Sequence, residues 1–588
     1  MGISATTNIN YGIKPITLNI KLFIMKKITY LLGIVLLTGA VSCSDFLEED
    51  PYAVLSEEQL TTPENVDGFV TAAYAALGND HYDIPFSLWP YGNVRSDDAY
   101  KGGSGTNDIQ VFHFFEVSEN IRTDFGELDA FWYNTFIAIS RVNKALAALN
   151  QIDEADFPEK QTRIAEMKFL RGHFYFMLKI MFKYVPYVTE DIPVEEYGSI
   201  SNRALSNDEL WSAIAGDFEA AAEVLPPTQP EVGRADKTAA YAYLAKTRLY
   251  QAYEQDENHN VVNVNQQRLQ QVLDATAQVI GKHQLEEDFA YNFLPGSFEN
   301  GPEAVFSIQF SDNDGTLHGR LNYSDVLATP QGIGCCDFHK PSQNLVNAYK
   351  VGEEGLPLFA SYNDTNIEFS NLEDYRVDPR LFHTVAIPGL PWKYDEEYIY
   401  QEGWVRSPST YGYTASLKEN VTADSEYLVN IDPFYGNSKN RIEIRYADVL
   451  LMRAEALIEL GRHNEALPLI NEVRERADQS TTLISSYATN TGISPYVDGE
   501  NINWTQGVAR EALRWERRLE FAMEGNRFFD LVRWGIAGET LNRYYDEEAE
   551  EINYYEGASF EEGREEYLPI PQAQINFSQD VYIQNTGY

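Results

Sequence analysis

Residues 445–477 carry the clearest rhythm of apolar and polar positions in the chain. Tyr446, Leu450, Ala454 and Leu457 fall at spacings of four, four and three, which places them on one face of a helix. After a break at Gly461 and Arg462, the positions Ala466, Ile470, Val473 and Ala477 repeat the rhythm. Two helices joined by so short a turn pack antiparallel, and small alanines at the contact positions allow close approach. A helical hairpin of roughly 34 residues is the unit of tetratricopeptide-like repeats. One hairpin cannot bury its own apolar face, so the pattern predicts neighbours.

The helical period recurs along the chain. Residues 63–77 read as a helix opened by Pro63, whose missing N–H costs nothing there, with Val66, Phe69, Val70, Ala73 and Leu77 inward and Gly78 at the end. Residues 79–123 carry no helical period and read as a long ordered loop that includes LWPYGNVRSDDA at 88–99; such loops are usually functional. A helix follows at 125–150, with Phe131, Thr135, Ala138, Val142 and Leu146 inward. Over 159–182, Met167, Leu170, Phe174, Met177 and Met181 form a stripe that Ala165, Phe169, Phe176 and Ile180 widen. A helix apolar over this much of its circumference is central.

Further helices are predicted at 207–224, 237–255 and 265–280. From 285 to 440 the period fades and Gly, Pro, Asn, Asp and aromatics take over, with short strand-like runs at 304–310 and 380–386. Helical pattern returns at 441–477, 508–525 and 528–534, and the tail at 567–571 reads as extended. The fold class expected is mainly α: helical hairpins over 60–284 and 441–588 form a scaffold, and the loop-rich insertion 285–440 carries recognition.

Charge narrows the function. The chain has 45 basic against 89 acidic residues, formally −44. That weighs against nucleic acid, which needs a basic footprint, and against attachment to anionic lipid by charge. The N-terminal region adds an address. Met25, Lys26 and Lys27 precede an apolar run at 28–41 that ends beside Cys43, the parts of a lipoprotein signal, with an apolar run too short for a membrane span. The expectation is that translation begins at Met25, that residues 1–24 are an upstream over-annotation, and that 25–42 are the signal peptide. Cys43 becomes the lipidated first residue of a single unit, 43–588; an ordinary signal peptide cut near Ala40 is the alternative.

The other two cysteines, Cys335 and Cys336, are adjacent and lack His or Cys companions at metal spacing. Adjacent cysteines pair only in a restricted geometry, so free thiols in a loop are expected, with a vicinal disulfide as the alternative. The nine histidines form no ligand cluster, and no nucleophile elbow, phosphate-binding loop or dinucleotide fingerprint is present. Asp312, Asn313, Asp314 and Gly315 begin like a calcium loop but lack the rest of it, so a turn is expected, with adventitious calcium as the alternative. No cofactor is expected.

Several stretches together resemble the SusD/RagB family of surface nutrient-binding lipoproteins of Bacteroidetes. They are CSDFLEEDP from Cys43, AEMKFLRGHFYFML at 165–178, RYADVLLMRAEAL at 445–457, REALRWERRLEFAMEGNRFFDLVRWG at 510–535 and YLPIPQAQI at 567–575. The resemblance implies four tetratricopeptide-like units under a loop-rich binding face, and lipid anchoring in the outer membrane facing outward. It also implies a SusC-like TonB-dependent transporter as partner, over which the protein sits as a lid, and an oligosaccharide or polysaccharide ligand without catalysis. A RagB-like peptide binder is the alternative, and a glycan-degrading enzyme a weaker one.

Neutral sugars offer apolar C–H faces and a rim of hydroxyls, so a binder needs aromatic platforms edged by planar polar groups. The early loop offers Trp89, Tyr91, Asn93, Arg95, Asp97 and Asp98, and the insertion offers Trp392, Tyr394, Trp404, Arg406 and Tyr411. These are the expected ligand-binding residues, with loop-core packing as the alternative for each ring. Glu516 and Glu520, one helical turn apart, resemble a catalytic carboxylate pair, but the arginines between them predict a structural ion-pair network instead.

Overall fold

A computed structural model describes residues 62–78, 81–312, 314–315, 320–431 and 434–588. The signal peptide, Cys43 and Asn313 of the calcium-like loop lie outside the described residues. Residues from Pro63 to Tyr588 form one compact unit.

The longer helices, numbered in chain order, are α1 (Pro63–Ala75), α2 (Gly126–Gln151), α3 (Lys160–Phe182), α4 (Asn207–Val224), α5 (Lys237–Ala252), α6 (Gln266–Thr276), α7 (Tyr446–Glu459), α8 (His463–Gln479), α9 (Gln506–Glu520), α10 (Arg527–Trp534) and α11 (Ala537–Glu548). Their starts are encoded locally. Ser206 and Glu209 form a reciprocal capping box before α4, and Asp236, Asn265 and Thr505 each accept a backbone N–H at the head of α5, α6 and α9.

From α2 to α6 each helix packs on the next, and α6 packs directly on α7, which in turn packs on α8 and α9. The hairpin stack therefore continues across the insertion. Helix α3 is buried along nearly its whole second half, as its broad apolar face predicts. At Gly172 a Cβ would sit 2.8 Å from the ring of Phe218, so α3 and α4 reach this separation only with glycine there.

The insertion is stitched shut at its ends. Ala304–Ile308 pairs antiparallel with Arg441–Arg445, the strand that runs straight into α7. Inside it, Leu428–Ile431 pairs with Phe434–Asn437 and Pro391–Trp392 pairs with Asp395–Ile399.

Several sequence expectations need correction. The stretch 79–123 is not all loop: it holds a helical turn at Pro90–Val94, a strand at Ala99–Gly102 paired with Phe338–Pro341, and a helix at Gln110–Glu116. The run 380–386 is a helical turn, Leu381–Thr384, followed by a two-residue strand; Asp378 accepts the Arg380 N–H and starts that turn. Helix α11 was not anticipated, because acid-rich polar residues dominate its surface. Cys335 and Cys336 are joined in a disulfide, so the free-thiol expectation is replaced by its alternative. The amides of Cys336 and Asp337 both donate to Thr329 O, at 2.8 and 3.0 Å, which folds this loop back on itself. No helix among the described residues is long and apolar enough to cross a membrane.

Candidate ligand-binding site

The early loop faces inward. Trp89 is 1% exposed; its indole N–H donates to Ser324 O at 3.0 Å and its ring lies against Phe112 and His339. Tyr91 is fully buried between Phe115 and Phe131. Asn93 accepts the Gly525 N–H at 2.6 Å, and Arg95 donates to Glu565 O at 2.6 Å with its guanidinium over Phe528. Arg527 grips Asp97 through two hydrogen bonds of 2.8 and 2.9 Å, while Arg518 bonds Asp98 at 2.9 Å. Burial alone raises the Asp97 pKa, but Arg518 and Arg527 outweigh it and hold the carboxyl well below its usual range. The loop is thus a clamp onto the α9–α10 turn. A ring or charge with no exposed surface has nothing to offer a polysaccharide, so the binding role expected of Trp89, Tyr91, Asn93, Arg95, Asp97 and Asp98 is corrected to a structural one.

Within the insertion the expected residues divide. Trp392 is fully buried and donates to Val421 O at 2.9 Å. Tyr411 is 1% exposed and packs on Tyr554. Tyr394 packs on the core with its hydroxyl 3.0 Å from His383 Nδ1. Trp392 and Tyr411 support the loops and do not form a binding surface, which corrects the expectation for those two, while Tyr394 stays partly exposed.

Trp404 and Arg406 remain partly exposed. Trp404 stands on a small separate core made of Trp392, Tyr400, Val405, Ala415 and Leu417, with Tyr398 5.1 Å away between ring centres. Its carbonyl accepts the Gln331 N–H at 2.9 Å, and Gly332 lies so close that a Cβ would come within 2.2 Å of the indole. Two residues on, Gly334 sits equally close under the ring of Tyr435. Arg406 closes the group: it reaches Asp108 Oδ2 at 3.2 Å and donates to Cys336 O at 3.2 Å. The result is a surface of partly exposed rings, Tyr398, Trp404 and Tyr435, with Ile333 between them and a guanidinium–carboxylate pair at the edge. Phe434 precedes Tyr435 in the same strand and so projects from the opposite face, where it meets Tyr82 at 4.9 Å beside His81 and Tyr323.

Two family models match this chain: one described as "SusD family" over residues 302–588, the other as "Starch-binding associating with outer membrane" over residues 45–249. The chain belongs to the SusD family. SusD-like protein P2 of Formosa agariphila is 26% identical, over 96% of this chain and 99% of that protein. The starch-binding protein SusD of Bacteroides thetaiotaomicron is 25% identical over 75% of both. Among solved structures, surface glycan-binding protein A from Bacteroides fluxus superposes with a TM-score of 0.65 at 22% identity, over 90% of this chain and all 100% of that one. A laminarin-binding SusD-like protein gives a TM-score of 0.64 at 23% identity, over 90% and 100%.

In this SusD-family chain the conspicuous carboxylates of α9 are fully committed. Glu520 pairs with Arg445 at 2.8 Å, with Arg380 at 3.0 Å and with Arg476; Glu516 pairs with Arg380 at 2.6 Å and Arg474 at 3.1 Å. Burial raises the Glu520 pKa, but Arg476, Arg445 and Arg380 overcome it and hold the group deprotonated. Both glutamates have no exposed surface. The structural reading of this block stands. A cavity of about 140 Å³ lies between scaffold and insertion, lined by Trp89, His173, Lys246, Lys418, Lys439 and Glu524.

Sequence reasoning missed Tyr82, Tyr323, Tyr398, Phe434 and Tyr435. Tyr398 and Tyr400 are two positions apart, which in a strand would put both rings on one face, so the local pattern does not mark Tyr398 as the more exposed of the two. Nothing local singles out Tyr435.

Proposed function

We propose that this protein is a non-catalytic, lipid-anchored glycan-binding protein of the outer-membrane surface, which passes oligosaccharide to a SusC-like TonB-dependent transporter. The observation that carries the reading is the group of partly exposed rings around Trp404, rigidly based and edged by Arg406 and Asp108. Aromatic area meets the C–H face of a sugar, and the planar guanidinium and carboxylate meet its hydroxyls. Relatives described as starch-binding, laminarin-binding and glycan-binding support a carbohydrate cargo, and the family description "associating with outer membrane" supports the address. The lipoprotein-type cysteine at Cys43 supports the anchor. The Arg406–Asp108 pair leaves the rim near neutral, and the overall charge of −44 opposes polyanions, so a neutral glycan is the favoured class. The carboxylates closest to a hydrolase pattern, Glu516 and Glu520, are sealed in ion pairs, which supports binding without catalysis.

Isothermal titration of residues 44–588 against starch, laminarin, host glycans and peptides tests the reading. Saturable binding of a neutral glycan, lost in Trp404→Ala, is expected. Binding of peptides alone would sink it.

A further inference from the structure

We propose that the Cys335–Cys336 disulfide forms part of the sugar-contact surface, an apolar ledge that receives the C–H face of a neutral hexose ring between Trp404 and Tyr435. The proposal deepens the glycan-binding reading and rests on it.

The placement comes from the loop that carries the disulfide. Gly332 is pressed on the indole of Trp404 and Gly334 on the ring of Tyr435, so the chain threads between the two rings just before Cys335. Cys336 is buried at 4% exposure in the main core, and Cys335 packs against that core while remaining partly exposed, so the accessible edge of the pair is at Cys335. The ledge shares its frame with the site: Gln331 donates to Trp404 O, Arg406 donates to Cys336 O at 3.2 Å, and the Arg406 N–H donates to Asp337 Oδ2 at 2.9 Å. Disulfide, rings and guanidinium are therefore fixed relative to one another.

The chemistry suits a neutral sugar. A disulfide has no hydrogen-bond donor, and its sulfurs are polarisable and make good dispersion contacts. Closing two adjacent side chains into one ring also removes the rotamer freedom that two thiols would lose on binding. The outside of the cell keeps such a bond oxidised. Reduction by an added dithiol breaks the S–S bond, places one hydrogen on each cysteine sulfur and leaves the reductant as its own disulfide. The two thiols then rotate independently and the ledge is lost.

The test compares oxidised wild-type protein, the same protein reduced with dithiothreitol, and the double variant Cys335→Ser, Cys336→Ser, each titrated with laminarin and soluble starch. Free-thiol counting and circular dichroism accompany each titration. Oxidised wild type is expected to show no free thiol and to bind one of the two glycans. Both altered forms are expected to bind about tenfold more weakly, the loss of ~50 Å² of apolar contact, at unchanged helicity. If the double variant unfolds, the reduced wild type still supplies the comparison. Affinity within twofold of wild type in both altered forms, while Trp404→Ala abolishes binding, overturns the ledge and leaves the glycan reading intact. Two free thiols in the untreated protein overturn the ledge as well. Unchanged binding in Trp404→Ala, or no binding of either glycan by wild type, removes the site and the ledge together.

Discussion

At the scale of single residues, tryptophans that look alike in sequence do opposite work. Trp404 keeps part of its ring exposed on a rigid base, whereas Trp89 and Trp392 are buried to 1% and 0% exposure with their indole N–H groups satisfied by Ser324 and Val421. Replacing Trp404 with alanine is expected to abolish measurable glycan binding in a titration, because its contact with a sugar is made only in the complex. Its melting temperature should fall far less than that of a core variant. Replacing Trp89 is expected to cost about 3–5 kcal/mol of stability by chemical denaturation, since it opens a large hole among Phe112, Phe338 and His339. A Trp89→Ala protein as stable as wild type, but unable to bind glycan, would restore the sequence-based view of that loop. That view failed for a physical reason. WPYGNVRSDD has the composition of a binding loop, and its buried charges are matched by Arg518 and Arg527, separated by 420 and 430 positions in sequence. No local pattern announces a partner that distant.

Among elements, the periodic parts were legible and the aperiodic parts were not. The stripes on α3, α7 and α8 specify helices whose ends fall near those the period predicts, because apolar spacing is a local property. The insertion gave only its existence and its strand at Ala304–Ile308, since its shape is set by long-range pairing to Arg441–Arg445 and by the small core under Trp404. What locks scaffold to insertion is the arginine cage of α9. Arg380 comes from the insertion, Arg445 from the strand before α7, and Arg474 and Arg476 from α8; all four converge on Glu516 and Glu520. Glu520→Ala leaves three buried guanidinium groups short of a counter-charge and is expected to cost about 3–5 kcal/mol in urea unfolding. Glu520→Gln, which retains an acceptor oxygen, should cost less. Equal and small losses in the two variants would show that the network merely decorates a contact made by apolar packing.

For the whole molecule, buried titratable groups shape stability against pH, and Glu548 on α11 isolates one component. Burial, with the nearby charges of Glu551 and Glu116, pushes its pKa up to about 7 even though the Tyr100 hydroxyl donates to it at 2.7 Å. A carboxyl raised in the folded state contributes stability that is complete below its unfolded value of about 4.3 and is lost as pH rises through about 7. His173 works in the other direction. Burial lowers it to about 4, so its contribution is complete above the unfolded value of about 6.5 and is lost as pH falls towards 4. Between these limits the two effects oppose each other, and the wild-type melting profile alone does not separate them. Glu548→Gln does, because glutamine keeps the acceptor for Tyr100 and never charges. Its stability relative to wild type is expected to be nearly constant below about pH 4, to climb between about pH 4.3 and 7, and to level off above that. The increase should approach ~3 kcal/mol by about pH 8.5, following the displacement of the pKa. Melting curves of both proteins at matched ionic strength measure that difference. A constant offset at every pH would mean that Glu548 titrates as an ordinary surface carboxylate, and that α11 docks on Tyr100 without carrying a buried charge at neutral pH.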